Sequence, residues 1–291
     1  MNGSERKYPS LDAYLGSDSK PAGPIAAIFV EDTVEIDTTL RHHLECGFET
    51  VLALMPETFL LAPDVASRVQ RIDFDPLPDT AVIDAMNHLI AATPEQWLYY
   101  CFNSEYLFYP FCETRSVKEM LRFHREERRE AMLTYVIDLY AGDLMTSPGA
   151  VSLDHAYLDK SGYYALARTN PDTGKPFDRQ LDFFGGLRWR FEEHVPADKR
   201  RIDRIGLFRA KPGLTLRADH TLSEEEFNTY ACPWHNNLTA AICSFRTAKA
   251  LKRNPGSSFD ISTFNWRNSI EFEWHSRQLL ELGLIEPGQW F

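Results

Sequence analysis

Two oxygen-bearing side chains stand at the end of a predicted buried strand. The apolar and aromatic run Trp97–Phe102 is typical of a core strand, and Asn103 and Glu105 follow it, two positions apart. In an open α/β fold, ligands lie at the carboxyl ends of the strands, and amide or carboxylate oxygens bind Mg²⁺, Mn²⁺ or Ca²⁺. The pattern predicts a ligand or cation site at Asn103 and Glu105. A strand end followed by an ordinary surface turn has the same pattern.

A second cluster combines two glycines with two arginines. Gly185 and Gly186 precede Arg188 and Arg190 in the chain. Glycines let a backbone approach a ligand closely, and guanidinium groups bind phosphate or carboxylate through paired hydrogen bonds. The cluster predicts an anion site, although a tight turn leading into an edge strand with solvated arginines would contain the same residues.

Two histidines are candidate metal ligands or proton carriers. His220 and His235 each stand in a polar context in the second half of the chain. Neutral imidazole is a common ligand of divalent ions, but a lone histidine is more often a hydrogen-bonded structural residue. The pair His42 and His43 falls on a predicted helix. The acidic run 224–226 is typical of a solvated face or a helix start.

The sequence lacks the motifs that would define several other enzyme classes. It contains no GxGxxG after a strand, no GxxxxGK[ST], no HExxH and no GxSxG. A bound nucleotide would therefore have its phosphates held by a metal ion or by arginines. The many carboxylates supply a general base in principle, but their spacing does not identify which one, so no catalytic residue is assigned.

The composition of the chain limits the classes of binding partner and the cellular compartment that can be expected. The net charge of −11 over 291 residues disfavours nucleic acid and anionic membrane surfaces, because both need an excess of Lys and Arg. Five cysteines without CxxC spacing indicate free thiols in a reducing compartment. Residues 1–20 are too polar for a signal peptide, and no apolar run approaches the roughly 18 residues that span a bilayer. We expect a cytoplasmic protein without a transmembrane segment.

These side chains need a scaffold, and the apolar pattern predicts strands that alternate with helices. Strands are predicted at Ile25–Val30, Thr50–Leu54, Val69–Phe74, Trp97–Phe102 and Met132–Tyr140. Helices are predicted from Ile36 to Cys46, after a cap at Asp79, and from a capping box of Ser116 and Glu119 to Arg129. The alternation over residues 25–140 predicts an α/β fold with a mixed, mostly parallel sheet flanked by helices.

Other parts of the chain have a weaker pattern. Residues 1–22 are predicted to form a flexible N-terminal arm. Residues 141–180 are rich in Gly, Pro, Asp and Asn, which predicts a long irregular segment of functional or mobile character. A final helix is predicted near Asn268 to Leu282, ended by Gly283.

The order of these features resembles the family 2-type glycosyltransferases with a GT-A fold, in a bacterial branch of short, stand-alone proteins. The helix and strand of 40–52 are similar to that family's early HH…G segment. The stretch Trp97–Pro110 is similar to its W…DxDEFL…P segment. Phe184–Phe191, followed by His220 and His235, is similar to its FGGxRxRF…H…LLHFK series. The resemblance spans roughly residues 25–250.

The resemblance implies a single GT-A-like domain at 23–291, with a Rossmann-like nucleotide-binding half at 23–140 and an acceptor half at 141–291. It implies metal-assisted transfer of a sugar from a nucleotide-sugar donor to a glycan or another hydroxyl acceptor. The implied ligands of Mn²⁺ or Mg²⁺ are Asn103, Glu105 and His235. The residues implied near the nucleotide are Glu31, Asp32, Arg188 and Arg190. Trp189 and Trp234 would suit stacking on a sugar ring, although core packing is the default for either.

The chain departs from the family pattern at its metal and nucleotide motifs. Asn103-Ser104-Glu105 stands where the family has Asp-x-Asp, and Val30-Glu31-Asp32 stands where it has Lys-Asn-Glu. The family's Asp-Asn-x-Ser-x-Asp after the second strand is absent. Two alternatives therefore stay open: a catalytically inactive GT-A-like protein that serves as a binding or assembly partner, and an unrelated α/β hydrolase that pairs His220 or His235 with a carboxylate.

Overall fold

The structure, a computed structural model, describes residues 6–232 and 236–290. Its strands are β1 (Arg6–Tyr8), β2 (Ile25–Phe29), β3 (Thr50–Met55), β4 (Gln70–Asp73), β5 (Trp97–Phe102), β6 (Glu105–Phe108), β7 (Ala131–Asp138), β8 (Tyr140–Ala141), β9 (Ala156–Asp159), β10 (Tyr164–Thr169), β11 (Pro176–Phe184), β12 (Asp203–Arg209), β13 (Ala240–Ser244) and β14 (Ser269–Glu271). Its α-helices are α1 (Leu11–Leu15), α2 (Ile36–Glu45), α3 (Pro63–Ala66), α4 (Ala81–Ala92), α5 (Val117–Glu126), α6 (Gly186–Arg190), α7 (Arg246–Arg253), α8 (Pro255–Asp260) and α9 (Ser276–Glu281).

The chain divides into two compact units. The first comprises the described residues up to Leu107, Thr114–Met132 and Ile205–Asn228, and the second comprises Phe108–Glu113, Leu133–Arg204 and the described residues from Thr229 onward. These units differ from the halves that the sequence predicted at 23–140 and 141–291. The difference arises because Ile205–Asn228 belongs to the first unit, where β12 pairs antiparallel with β5. Pairing between segments so far apart in the chain leaves no mark in local periodicity.

The first unit is built on a mixed, mostly parallel sheet. Its strands lie in the order β1-β4-β3-β2-β5-β12, with parallel pairing from β1 to β5 and antiparallel pairing of β12. Every residue of β2 and β3 is buried, as expected for central parallel strands whose two faces are covered by helices. The predicted α/β fold class, with a large and mostly parallel sheet flanked by helices, is confirmed.

Local signals placed most helices of the first unit correctly. In α2, Ile36 and Leu40 lie on the buried face. The predicted capping box of α5 is confirmed, because the Ser116 hydroxyl accepts from the Glu119 backbone N–H and the Glu119 carboxylate accepts from the Ser116 backbone N–H. The predicted cap at Asp79 is wrong. Helix α4 begins at Ala81, after Thr80 and a turn whose backbone bond already satisfies the Ala81 N–H.

The N-terminal segment is more ordered than its polar composition predicted. Strand β1 pairs in parallel with β4, and α1 begins at Ser10, whose side chain accepts from the Ala13 N–H. Tyr14 is only 1% exposed, and its ring packs edge-to-face on Tyr8 with 4.9 Å between centroids. From Arg6 onward this segment is therefore part of the first unit. A few buried side chains such as Tyr14 hold this segment. The overall composition of residues 1–20 is mostly polar and conceals them.

The second unit contains three small groups of strands. Strands β7 and β13 pair in parallel, β10 and β11 form an antiparallel hairpin, and β14, β9 and β8 form an antiparallel sheet. One core cluster consists of Tyr140, Ala150, Leu187, Ala248, Leu251, Ile261 and Phe264. The irregular segment predicted at 141–180 is wrong, since β9, β10 and the start of β11 lie there. The side chains of β10 are mostly exposed, so this strand lacks the apolar alternation by which a half-buried strand is recognised.

The C-terminal helix is also shorter than predicted. Ser269–Glu271 forms β14, which pairs with β9, and α9 covers only Ser276–Glu281. The prediction that the helix begins at Asn268 is wrong, because the residues that follow pair with β9 as a strand. Gly283, with φ of 68°, follows the end of α9 as predicted. Within residues 6–232 and 236–290, no helix is long and apolar enough to cross a membrane.

The packing of Tyr14 makes the order of the N-terminal segment testable. We expect Tyr14→Ala to lower the free energy of unfolding by about 3 kcal/mol, because it removes a fully buried ring. The matched control is Tyr164→Ala, whose ring is 44% exposed and should cost less than about 1 kcal/mol. Urea unfolding measures both values. Equal, small losses would mean that residues 6–16 do not pack as described.

Candidate functional site

A cleft of about 560 Å³ lies beyond the carboxyl ends of β2 and β3 in the first unit. These strands are parallel neighbours, so the loops that follow them meet at one edge of the sheet. That edge is where open α/β sheets bind ligands. The residues that line this β2–β3 cleft are Thr33, Glu35, Ile36, Asp37, Thr38, Arg41, Thr58, Phe59 and Leu60.

The β2–β3 cleft offers hydrogen-bond acceptors and apolar surface. Glu35 and Asp37 contribute carboxylates, while Phe59 and Leu60 contribute a ring and an alkyl side chain. Arg41 is engaged elsewhere, because its Nε and NH2 donate to the two carboxylate oxygens of Asp64 at 2.7 and 3.0 Å. Such a lining suits a ligand that carries hydroxyl groups and a flat ring better than it suits a bare phosphate.

Asn103 lies beside this edge of the sheet and connects the end of β5 to the loop after β2. Its Oδ1 accepts from the Glu31 backbone N–H at 2.9 Å. Its amide nitrogen donates to Asp32 Oδ1 and to the Val34 carbonyl, both at 2.8 Å. The structure therefore brings together three of the predicted site residues, Asn103, Glu31 and Asp32. The Asn103 side chain is fully buried. Both polar groups of Asn103 hold the loop 31–34 in place.

Ser104 and Glu105 are likewise buried and bonded to neighbouring backbone or side chains. Ser104 has a left-handed backbone with φ of 62°, and its N–H donates to Thr39 Oγ1 at 2.9 Å. Glu105 is 0% exposed, and its Oε2 accepts from the Phe102 N–H at 2.9 Å. The polar groups of this turn are therefore directed into the protein, and the turn is buried, unlike the surface turn that was the alternative prediction.

The arrangement at Asn103 and Glu105 does not fit a divalent metal ion. A hard cation needs several free oxygen ligands, whereas Asn103 Oδ1 and Glu105 Oε2 each accept a backbone N–H. No group of three or more His, Cys, Asp or Glu that could hold a metal occurs among residues 6–232 and 236–290. His235, the third predicted ligand, lies outside the described residues, as does Trp234. Binding of Mn²⁺ or Mg²⁺ stays a prediction.

Arg188 and Arg190 lie on α6 in the second unit, where both side chains contact the protein itself. The Arg188 guanidinium donates to Thr247 Oγ1 at 3.1 Å and to the Arg201 carbonyl at 2.6 Å. Arg190 donates to Asp159 Oδ1 at 3.0 Å and to the Phe264 carbonyl at 2.6 Å. These bonds position other groups, so the predicted role of the two arginines in binding phosphate stays a prediction.

Asp138 is the functional candidate that sequence reasoning missed. It ends β7, its side chain is 0% exposed, and its Oδ1 has no hydrogen-bond partner among the described residues. Arg188 Nε lies 3.5 Å from that oxygen. Burial raises the pKa of Asp138, and the Arg188 charge only partly opposes the rise. A buried carboxyl group with a raised pKa is suited to accept a proton.

The glycine pair lies against this carboxylate. Gly186 has φ of 63°, and a Cβ at this position would lie 2.9 Å from Asp138 Oδ2. A Cβ on Gly185 would overlap the ring of Tyr163. The glycine backbone approaches Asp138 and Tyr163 closely, while its predicted approach to a ligand stays a prediction. A carboxylate that ends the apolar strand Ala131–Asp138 was the sequence signal that could have identified Asp138.

His220 and His43 both contact aromatic residues of the first unit. His220 Nδ1 lies 2.9 Å from the Tyr100 hydroxyl, and the two rings stack with 5.9 Å between centroids. His43 is fully buried, and burial lowers its pKa to about 3. His43 is therefore neutral at physiological pH and has a structural role.

Comparison with known proteins adds no identity to this geometry. No protein-family model matches the sequence, and no curated protein is significantly similar to it.

The role of Asn103 can be tested by replacing its amide with a carboxylate. We expect Asn103→Asp to lower the free energy of unfolding by about 3 kcal/mol at pH 7, because the new carboxylate would face Asp32 Oδ1 and the Val34 carbonyl without a hydrogen to donate. The control is Asn170→Asp, whose oxygen accepts from the Asp172 N–H and can still do so. Thermal unfolding of Asn103→Asp with Mn²⁺ tests the opposite outcome. If the metal restores the stability of this variant, an ion site is present here.

Asp138 and Asp159 make a matched pair, since both are almost fully buried. The pKa of Asp138 is raised, so folding is favoured while it is protonated, and this stability is lost as pH rises through its folded-state pKa. Asp138→Asn should therefore raise the midpoint of thermal unfolding at pH 7, and the gain should shrink as the pH falls.

Asp159→Asn should instead lower the midpoint, because the Asp159 carboxylate accepts from Tyr140, Arg190 and Trp266. Differential scanning calorimetry from pH 5 to 8 measures both effects. If both variants are destabilised alike, Asp138 is only the structural partner of Arg188.

Proposed function

We propose that this chain is a glycosyltransferase with a GT-A-like fold that moves a sugar from a nucleotide-sugar donor to an acceptor hydroxyl. The observation that carries the proposal is the position of the β2–β3 cleft at the carboxyl ends of two central parallel strands. The order β4-β3-β2-β5 supports a Rossmann-like nucleotide-binding half within the first unit.

The lining of the β2–β3 cleft supports the nucleoside part of such a donor. Glu35 and Asp37 can accept hydrogen bonds from ribose hydroxyls, and Phe59 offers a ring on which a base can stack. Glu31 and Asp32 shape the same loop through their bonds to Asn103. We assign these two residues to positioning the loop, and their direct contact with nucleotide stays a prediction.

Asp138 is the group that we propose as general base in the second unit. Its carboxylate would take a proton from a hydroxyl group of a ligand bound in the second unit. Burial raises its pKa, which favours proton uptake. Gly186 keeps the space beside Asp138 Oδ2 free of a side chain.

The alternative is a GT-A-like protein that binds ligands without catalysis and serves as a binding or assembly partner. The observation that favours it is the internal bonding of Asn103 and Glu105, in which one side-chain oxygen of each residue already accepts a backbone N–H. On this alternative the β2–β3 cleft would still bind a hydroxyl-rich ligand.

Thermal unfolding in the presence of nucleotides tests the proposal. We expect one of UDP, GDP or CMP to raise the midpoint by several degrees at concentrations about 100 times its Kd, because binding to the folded state adds about 2.7 kcal/mol. Phe59→Ala should abolish the shift, whereas Phe259→Ala, which removes a ring that is 92% exposed, should preserve it. Each titration is run with Mn²⁺ and with a chelator, so that any role of the metal is measured directly.

A shift for one nucleotide, followed by release of that nucleoside diphosphate from its sugar derivative, would establish transfer chemistry. Binding without release would favour the non-catalytic alternative. No shift for any nucleotide would contradict the assignment of the β2–β3 cleft.

A further inference from the structure

A buried guanidinium contacts the loop that follows β3, residues 56–60, which we call the β3 loop. Arg71 belongs to β4, the parallel neighbour of β3, and its side chain is only 4% exposed. Its Nη2 donates to the Glu57 carbonyl at 2.6 Å and to the Phe59 carbonyl at 2.7 Å. A longer contact of 3.4 Å joins the same nitrogen to the Pro56 carbonyl. One side chain thus holds three carbonyl groups of a single loop.

The β3 loop forms one wall of the β2–β3 cleft. Residues 58–60 are among those that line the cleft. The structure describes the whole of the β3 loop, and within it the backbone forms one hydrogen bond, from the Phe59 N–H to the Pro56 carbonyl at 3.1 Å. A loop with so little bonding of its own must satisfy its backbone groups through side chains from other elements.

Two carboxylates hold the ends of the same segment. Asp73, which also belongs to β4, accepts from the Glu57 N–H at 3.1 Å. Asp37 of α2 accepts from the Ala62 N–H at 2.9 Å. Between these two ends the guanidinium holds the carbonyl of Phe59, the residue that we assign to stacking on the base. The guanidinium is therefore the contact that acts directly on the ring-bearing residue of the cleft.

The chemistry of arginine suits this task. Hydrogen bonds from a charged donor are stronger than those between neutral groups, and a planar guanidinium presents its N–H groups in a fixed fork. Lysine keeps the charge but has no such fork. A loop that is held before the ligand arrives loses less entropy on binding, which raises affinity.

We propose that Arg71 is a positioning residue of the β2–β3 cleft. It holds the β3 loop so that the Phe59 ring is in place before a ligand binds. The identity of that ligand as a nucleotide rests on the proposed function, whereas the conformation of the β3 loop is measured without any ligand.

Hydrogen exchange followed by mass spectrometry measures the loop in the full chain without a ligand. We expect exchange at residues 57–60 to become at least about tenfold faster in Arg71→Lys, because this region can then open locally. Exchange in the fully buried strand β2 should stay slow, which shows that the variant is folded. The matched control is Arg68→Lys, since the Arg68 side chain is exposed, and its loop should exchange as in the unchanged protein.

A double-mutant cycle on nucleotide affinity tests whether Arg71 acts through Phe59. The nucleotide among UDP, GDP and CMP that binds the unchanged protein is titrated into Arg71→Lys, into Phe59→Leu, and into the double variant. We expect the Kd to rise about tenfold in Arg71→Lys, because ordering the loop then opposes binding. In the double variant the two losses should not add, since without the ring there is little left to position.

Faster exchange of the β3 loop together with non-additive losses of affinity supports the proposal. Unchanged exchange in Arg71→Lys overturns it, whatever the nucleotide does. Losses that add in the double variant overturn it as well, because Arg71 would then act independently of Phe59. If no nucleotide binds the unchanged protein, the proposed function fails, and the exchange rates alone decide whether Arg71 positions the β3 loop.

Discussion

The parallel pairing of β2 with β3 on one side and β5 on the other is the constraint on which the first unit depends. A fully buried parallel strand must satisfy its backbone groups through both neighbours, and helices must cover both faces of the sheet. Parallel strands also carry their carboxyl ends to the same edge. The loops after β2 and β3 therefore meet there, and the β2–β3 cleft is the space that they enclose.

Burial of polar side chains then decides what each candidate residue can do. Asn103 is buried and its amide is fully bonded, so it holds a loop. Asp159 is buried with three kinds of donor around it, so it fixes Arg190 and Trp266. Asp138 is equally buried, but one of its oxygens has no hydrogen bond. Its pKa is raised because burial disfavours the charged carboxylate. Of these three residues, only Asp138 retains unused binding capacity.

The site was only partly accessible from sequence patterns. The spacing of Asn103 and Glu105 after an apolar strand predicted a site at the edge of the sheet where the β2–β3 cleft lies, and the glycine pair indicated a close backbone approach. Neither pattern could show that the oxygens of Asn103 and Glu105 accept N–H groups from the chain itself. Hydrogen-bond partners far apart in sequence, such as Asn103 and Glu31, are set by folding.

The sequence by itself determined the α/β class, the central strands and the capping box of α5, because periodicity and capping are local properties of the chain. Only the tertiary structure decided that Ile205–Asn228 returns to the first unit, that the N-terminal segment packs through Tyr14, and that Asp138 is buried beside Gly186. Each of these depends on contacts between distant segments, and burial, which sets both pKa and hydrogen-bond capacity, exists only once those segments have packed.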